Sequence, residues 1–541
     1  MKACRVLHSL LFIISLIFFS YLFYIQCLKS TYYRRISEKW HQKMEILCGT
    51  RGNIYDRNGV ALATSEPCFS VFCTPRYTRD KNTLAEKLAM LSQRPLSELK
   101  QLINEKNFFW VETKINTEKK DRYLELKDPS IGVVNDLKRI YTMPDAFGSI
   151  IGRCSKDNRG LEGIELYFDE ILRGKSGFVV YQREATGDVF PYYSYPEKNP
   201  EPGSDLYLTM DLQIQTILFT HLKECLKEKV ADVASGLVLN PQTGEILAMA
   251  NISKSGNFRN SAICDEFEPG STFKIVALAF SLINGISEKE IFDTEGGKIK
   301  INGHTIHDFK DYGAITLERA IVHSSNVVMA KLSRRFNERD FMIMVKDFGF
   351  TQLSGIEFPG EITGRLLKRG KLNEIEFATL MFGQGITCNL LQLAFAYQAI
   401  ANRGVLNKPL IVAQIKKRTK LLYQAEPLKI RRVLDEDIAK RITNILCQVV
   451  EAGTGVEAKI EGMRIAGKTG TAQKVVDGKY SENEIVATFV GYFPADNPEY
   501  LIAIMIDNPQ KGQWASTITA PVFKQIAHRI CQIRNFEYAY K

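Results

Sequence analysis

No Cys-x-x-Cys spacing occurs in the chain, although it carries eleven cysteines. That absence removes the usual grounds for a zinc site or a thioredoxin-type redox centre. Most of the cysteines stand among apolar neighbours, as in Ile263-Cys264 and Leu446-Cys447. They read as small buried hydrophobes, with disulfides as the alternative; an odd count leaves at least one unpaired. Low-complexity tracts are also missing, and 45% hydrophobic with 24% charged residues is the balance of a folded protein. Long basic tracts are missing too: the net charge of +10 is spread along the chain, with short clusters such as Lys416-Lys417-Arg418. Such a cluster reads as a solvated face, or as a contact for acidic lipid or polymer, and nucleic-acid binding gains little support. With 541 residues the chain has room for a sizeable core and about two to four domains.

One stretch lacks charge altogether. Residues 6–28 hold Leu10-Leu11-Phe12-Ile13-Ile14 and Leu16-Ile17-Phe18-Phe19, a run able to span a bilayer. No small-x-small cleavage site comes after it; Tyr24, Gln26 and Leu28 stand there instead, so an uncleaved anchor is expected rather than a signal peptide. Lys2 and Arg5 before the run are outnumbered by Lys29, Arg34, Arg35, Lys39 and Lys43 after it, so charge counting alone would leave the bulk of the chain in the cytoplasm.

The rest of the chain is organised around Glu268-Pro269-Gly270-Ser271-Thr272-Phe273-Lys274 and the apolar run to Ile283. Pro269 and Gly270 interrupt the preceding segment, and the residues after them lack a polar face, the pattern of a helix buried on all sides and opened by Ser271. A helix start presents unpaired N–H groups where developing negative charge is stabilised. Lys274, one turn on, shares that face, and a lysine held neutral can take a hydroxyl proton. Chance alone should produce Ser-x-x-Lys roughly twice in such a chain. A second copy, Ser97-Glu98-Leu99-Lys100, indeed lies in a charged amphipathic stretch that reads as a solvated helix.

Two later motifs separate Ser271 from that copy. Ser324-Ser325-Asn326 comes after the apolar helix Leu317–Val322, and Lys468-Thr469-Gly470-Thr471 lies on a predicted strand turned back by Asp477-Gly478. Ser324 and Asn326, two positions apart, suit a turn; alone, such a pair is better explained by local backbone capping. Together and in this order, the three motifs make the chain resemble a class B penicillin-binding protein, in particular the septal, cell-division subgroup with glutamate before the proline.

That resemblance implies an α+β fold: an N-terminal transmembrane helix, a mixed α/β pedestal, and a transpeptidase domain with an antiparallel sheet flanked by helices. The expected divisions are a cytoplasmic tail over 1–5, an anchor over 6–28, a pedestal over 29–204 and the transpeptidase domain over 205–541. Arg51-Gly52-Asn53-Ile54-Tyr55-Asp56-Arg57-Asn58-Gly59 and Gly160-Leu161-Glu162-Gly163-Ile164-Glu165 look like pedestal motifs with a bracing role. Within 205–541 the pattern predicts a helix over Leu212–Lys229, a hairpin over 236–250, strands over 463–476, 484–493 and 500–506, and a closing helix over 520–534. Strands at both ends with helices between imply one sheet built from distant segments.

The resemblance further implies peptidoglycan D,D-transpeptidase activity with no cofactor or metal. Ser271 would attack the penultimate D-alanine carbonyl of a stem pentapeptide, Lys274 would be its base, Ser324 would pass the proton to the leaving amine, and Asn326 would hold the substrate amide and Lys274. Lys468 would supply positive charge, Thr469 and Thr471 would bind the terminal carboxylate, Gly470 would leave room for the substrate backbone, and the N–H groups of Ser271 and Thr471 would form the oxyanion hole. Expected partners are the donor stem, an acceptor stem amine, β-lactams, the membrane, a separate glycosyltransferase and division proteins. The expected location is the bacterial cytoplasmic membrane, single-pass, with the catalytic domain outside. An elongation-specific transpeptidase, a D,D-carboxypeptidase, a serine β-lactamase, a β-lactam sensor and a silent scaffold are the alternatives. Cys388-Asn389 departs from the family pattern, where a hydroxyl residue and proline are common.

Overall fold

The computed structural model describes residues 2–47, 49–183, 189–191, 196–368, 370–476 and 479–536. The expected turn at Asp477-Gly478 and Cys48 lie outside them; the ten described cysteines form no disulfide, and six are buried. The chain forms two compact units, and neither follows chain order.

The first unit comprises residues 1–51, 67–137 and 173–203. Cys4–Leu28 is, among the described residues, the one helical span long and apolar enough to cross a membrane; its 25 residues extend roughly 37 Å at the α-helical rise. The unit's core gathers Val71, Leu84, Leu88, Leu99, Ile103 and Val111. Helix Lys81–Ser92 starts at Asp80, whose carboxylate accepts from Asn82 N (3.0 Å) and Thr83 N (3.1 Å). The second Ser-x-x-Lys lies on Leu96–Glu105: Leu99 and Ile103 face the core while Ser97 is exposed. It is an amphipathic helix whose serine is left in solvent.

The second unit comprises residues 52–66, 138–172 and 204–541. Ile54–Tyr55 pairs with the start of Ala61–Cys73 through a hairpin at Asn58-Gly59, where Asp56 Oδ1 accepts from Asn58 N and Val60 N (both 2.8 Å) and Gly59 takes φ +81°. The two pedestal-like motifs meet on Arg139, a residue without a motif of its own. Its Nε donates to Glu165 Oε1 (2.7 Å) and its Nη1 to Gly52 O (2.8 Å) and Ser65 Oγ (3.1 Å), with both charged side chains nearly excluded from solvent. Gly52 is needed for close approach, since a Cβ there would lie 1.9 Å from Ser204 O. Arg139→Ala strands a buried carboxylate, so the unfolding free energy should fall by about 3–5 kcal/mol. An unchanged urea midpoint would show that the pair braces nothing.

The sheet that positions the site has five strands: β1 (Val233–Leu239), β2 (Ile246–Ser253), β3 (Ala466–Val476), β4 (Lys479–Phe493) and β5 (Tyr500–Asp507). Their order is β2-β1-β5-β4-β3 and every pairing is antiparallel, so sequence-distant segments meet at β1–β5 and β3 is an edge. Both faces are covered, which explains the nearly unbroken apolar runs in the central strands. On one face Ala234, Val238, Ile502 and Ile504 pack with helices α1 (Leu212–Lys229) and α7 (Ala515–Ile533). On the other, Leu237, Leu239 and Met505 pack with α2 (Lys274–Ile283), α5 (Leu390–Ala401) and α6 (Glu436–Ala452). Helices α3 (Leu317–Val322) and α4 (Asn326–Ser333) lie between α2 and α5 in the chain.

Helix α1 has the predicted bounds and cap: Asp211 accepts from Gln213 N (2.9 Å) and Ile214 N (3.2 Å). Helix α7 begins at Ala515, five residues before the expected start. Pro521 sits inside the helix, and the start is held by a tertiary bond from Ala515 N to Thr471 Oγ1 (3.0 Å). At the departure Cys388-Asn389, Asn389 caps α5 reciprocally with Gln392 (2.7 and 3.0 Å), so the loop ends in a capping box.

Candidate active site

Gly270–Phe273 forms a single 3₁₀ turn, and the α-helix proper starts at Lys274. Ser271, the residue expected to open the helix, therefore stands one turn ahead of the α-helix proper, on a tighter bend that Gly270 permits with φ +53°. A second turn, Gly383-Gln384-Gly385, presses on this bend. Gly270 N donates to Gly383 O (3.0 Å), and a Cβ on Gly383 would lie 2.1 Å from Gly270 O. Thr272 Oγ1 closes the bend on Pro269 O (2.6 Å), and Tyr397 Oη of α5 donates to Thr272 O (2.8 Å). From Lys274 to Leu282 every residue of α2 is buried, as its missing polar face predicted.

Ser324 lies in the turn between α3 and α4 with φ +62°, a left-handed conformation costing a non-glycine residue about 1–3 kcal/mol. The local capping falls to Ser325 rather than Ser324: Ser325 Oγ accepts from Val328 N (3.1 Å) and donates to Asp308 Oδ2 (2.6 Å). Asp308 Oδ1 also accepts from Asn326 N (2.5 Å) and Val327 N (3.0 Å), so the carboxylate satisfies the start of α4. His323 stacks on Tyr312 at 5.0 Å between centroids, a packing role.

The three motifs converge on Ser324. Lys274 Nζ lies 3.1 Å from Ser324 Oγ and donates to Ser324 O (2.7 Å) and Asn326 Oδ1 (2.8 Å); Lys468 Nζ lies 3.1 Å from the same Oγ and donates to Thr469 O (3.1 Å). Both lysines have no exposed surface. Burial pushes Lys274 well below the usual lysine range, Lys468 lowers it further, and Asp308 partly opposes them. Burial also pushes Lys468 down to about 7. Among the described residues no hydrogen bond joins Ser271 Oγ to Lys274 Nζ; the amine is turned toward the Ser324 side, and apo sites commonly tighten only around substrate.

Edge strand β3 brings Lys468, Thr469, Gly470 and Thr471 alongside this bend. A Cβ on Gly470 would lie 2.8 Å from Pro269 O and 2.9 Å from Thr272 Cγ2, so the glycine makes room for the nucleophile's own turn, a role the sequence did not reveal. Thr469 Oγ1 donates to Thr454 Oγ1 (2.8 Å), and Thr471 Oγ1 accepts from Ala515 N. The Thr471 carbonyl would be 3.2 Å from a Cβ on Gly270, placing the backbones of Ser271 and Thr471 on adjoining segments. Asp308 and Tyr397 belong to no short motif. They act through bonds to residues distant in sequence, which no local spacing signals.

This constellation can be set beside known proteins. The penicillin-binding protein transpeptidase domain family matches residues 234–528, and the penicillin-binding protein dimerisation domain matches 47–208. The chain belongs to the class B penicillin-binding proteins. This class B protein is 32% identical over 521 residues to a probable peptidoglycan D,D-transpeptidase PenA of Neisseria gonorrhoeae, covering 93% of the chain and 88% of the relative. It is 30% identical over 518 residues to peptidoglycan D,D-transpeptidase FtsI of Escherichia coli K12, covering 92% and 85%. Among solved structures, penicillin-binding protein 3 of Mycobacterium tuberculosis complexed with aztreonam superposes with a TM-score of 0.71 at 27% identity, covering 91% of this chain and 97% of that one.

Proposed function

We propose that this class B penicillin-binding protein cross-links septal peptidoglycan through an acyl-enzyme on Ser271. It is a peptidoglycan D,D-transpeptidase, and stem peptides and β-lactams are its ligands. The observation that carries the residue roles is Ser324 Oγ standing 3.1 Å from the amines of two fully buried lysines, one of them a turn along from Ser271. Ser271 Oγ attacks the penultimate D-alanine carbonyl and gives its proton to Lys274. Collapse of the tetrahedral intermediate breaks the amide C–N bond, and the departing D-alanine amine takes a proton relayed through Ser324. An acceptor stem amine then attacks the ester, returns a proton to Ser271 through the same groups, and leaves with the acyl group. Asn326 holds the donor amide; Thr469 and Thr471 face its carboxylate beside Lys468; the N–H groups of Ser271 and Thr471 stabilise the oxyanion.

The Cys4–Leu28 helix anchors the protein in the cytoplasmic membrane with the chain after Leu28 outside it, and a separate glycosyltransferase supplies the glycan strands. Two measurements test this reading. On glycan polymerised from lipid-linked precursor, the protein should form cross-links that penicillin abolishes. Its selective depletion should block septa while side walls grow, giving filaments or enlarged undivided cells. Cells that round up yet still place septa would refute the septal role and leave the transpeptidase untouched.

A further inference from the structure

Glu268 marks the septal subgroup in the sequence, yet the acyl-transfer chemistry assigns it nothing. Its surroundings are unusual for a carboxyl beside a reactive turn. Only 8% of it is exposed. Oε1 accepts from Gly385 N (2.9 Å) and from Tyr480 Oη (3.2 Å), while Oε2 is buried with no hydrogen-bond partner. A cavity of about 320 Å³ borders it, but the two cations there are engaged elsewhere: Arg365 with Glu266 (2.7 Å) and Lys474 with Asp507 (2.8 Å).

Those two hydrogen bonds join three segments. Glu268 lies three residues before Ser271; Gly385 ends the turn whose Gly383 carbonyl receives Gly270 N; Tyr480 faces Val475 on the strand returning from β3, four residues beyond Thr471. The nucleophile bend and the edge strand are also in tight apposition, with a Cβ on Gly270 falling 3.3 Å from Ala472 Cβ. We propose that Glu268 is a positioning residue for acylation: its hydrogen bonds to Gly385 and Tyr480 hold the turn that carries Ser271 in register with the edge strand that carries Lys468 to Thr471. This rests on the acyl-enzyme reading, since it concerns where Ser271 sits relative to its activating groups. Burial raises the Glu268 carboxyl above the usual range; because one oxygen, Oε1, accepts both bonds, an amide should replace it.

The test uses the full-length protein and a fluorescent penicillin, with time courses at several concentrations to separate the half-saturating concentration from the limiting acylation rate, counted per titratable Ser271. Wild type must label and Ser271→Ala must not, which checks the underlying reading by itself. Glu268→Gln, whose Oε1 accepts both bonds, should acylate within about threefold of wild type. Glu268→Ala should lower the limiting rate about 10²-fold, the effect of roughly 1 Å of misplacement, while the half-saturating concentration stays within about threefold. Tyr480→Phe removes one of the two bonds and should slow the limiting rate about tenfold. A merely structural Glu268 would reduce the titratable fraction or the melting temperature and leave the limiting rate per active molecule unchanged. That result for Glu268→Ala, or equal damage from Gln and Ala, overturns the proposal. If Glu268→Ala does not fold, a wild-type limiting rate in Tyr480→Phe overturns it.

Discussion

Ser271→Ala should abolish covalent labelling by a fluorescent penicillin and all cross-linking activity. The physical case rests on uniqueness of environment. Ser271 alone has Gly270 bending the chain, a buried lysine one turn on, and the edge strand against its backbone. Ser97, with the same spacing to Lys100, is exposed on an amphipathic helix of the other unit. The expected loss exceeds the ~10⁴-fold span of general-base effects, because no nucleophile remains to form the ester. Ser97→Ala should label normally. Residual covalent adduct in Ser271→Ala, or its loss in Ser97→Ala, would move the nucleophile elsewhere.

What could be read from the sequence divides along a physical line. Elements with a local period or a local cap were legible: α1 with its Asp211 cap, the wholly buried α2, and the strands of the five-stranded sheet. The site was legible because its three motifs each keep their chemistry within four residues. The remainder depends on contacts between distant segments. Arg139 reads as an ordinary strand residue until Gly52 and Glu165 close on it, and Asp308 as a loop acid until its carboxylate meets the start of α4. The start of α7 was misplaced because its anchor is Thr471, 44 residues away. Gly470 was expected to leave room for a substrate backbone; inside the protein, a Cβ there would meet Pro269 O and the Thr272 side chain. Lys468 is the subtlest instance: its residue type says charged, and only burial in the assembled site brings it down to about 7.

That burial sets the second large effect, the acylation rate of Lys274→Arg. Arginine cannot give up its proton near neutrality, so the variant loses the base and adds a fixed charge beside Lys468. Acylation should fall by at least ~10²-fold wherever wild-type Lys274 is neutral. The pH dependence of wild type has a definite sign. Lys274 acts only when neutral, and its folded pKa is depressed by burial and by Lys468, so the rate falls as pH drops through that value. The two amines titrate as a pair, sharing Ser324 Oγ at 3.1 Å each. Lys468→Met removes the like charge and leaves the desolvation, so Lys274 should hold its proton to a higher pH and the acidic limb should move upward. A limb that stays in place or moves to lower pH would show that Lys468 does not depress Lys274; a near-normal rate in Lys274→Arg would remove Lys274 as the base, leaving Ser271 to be activated by some other group.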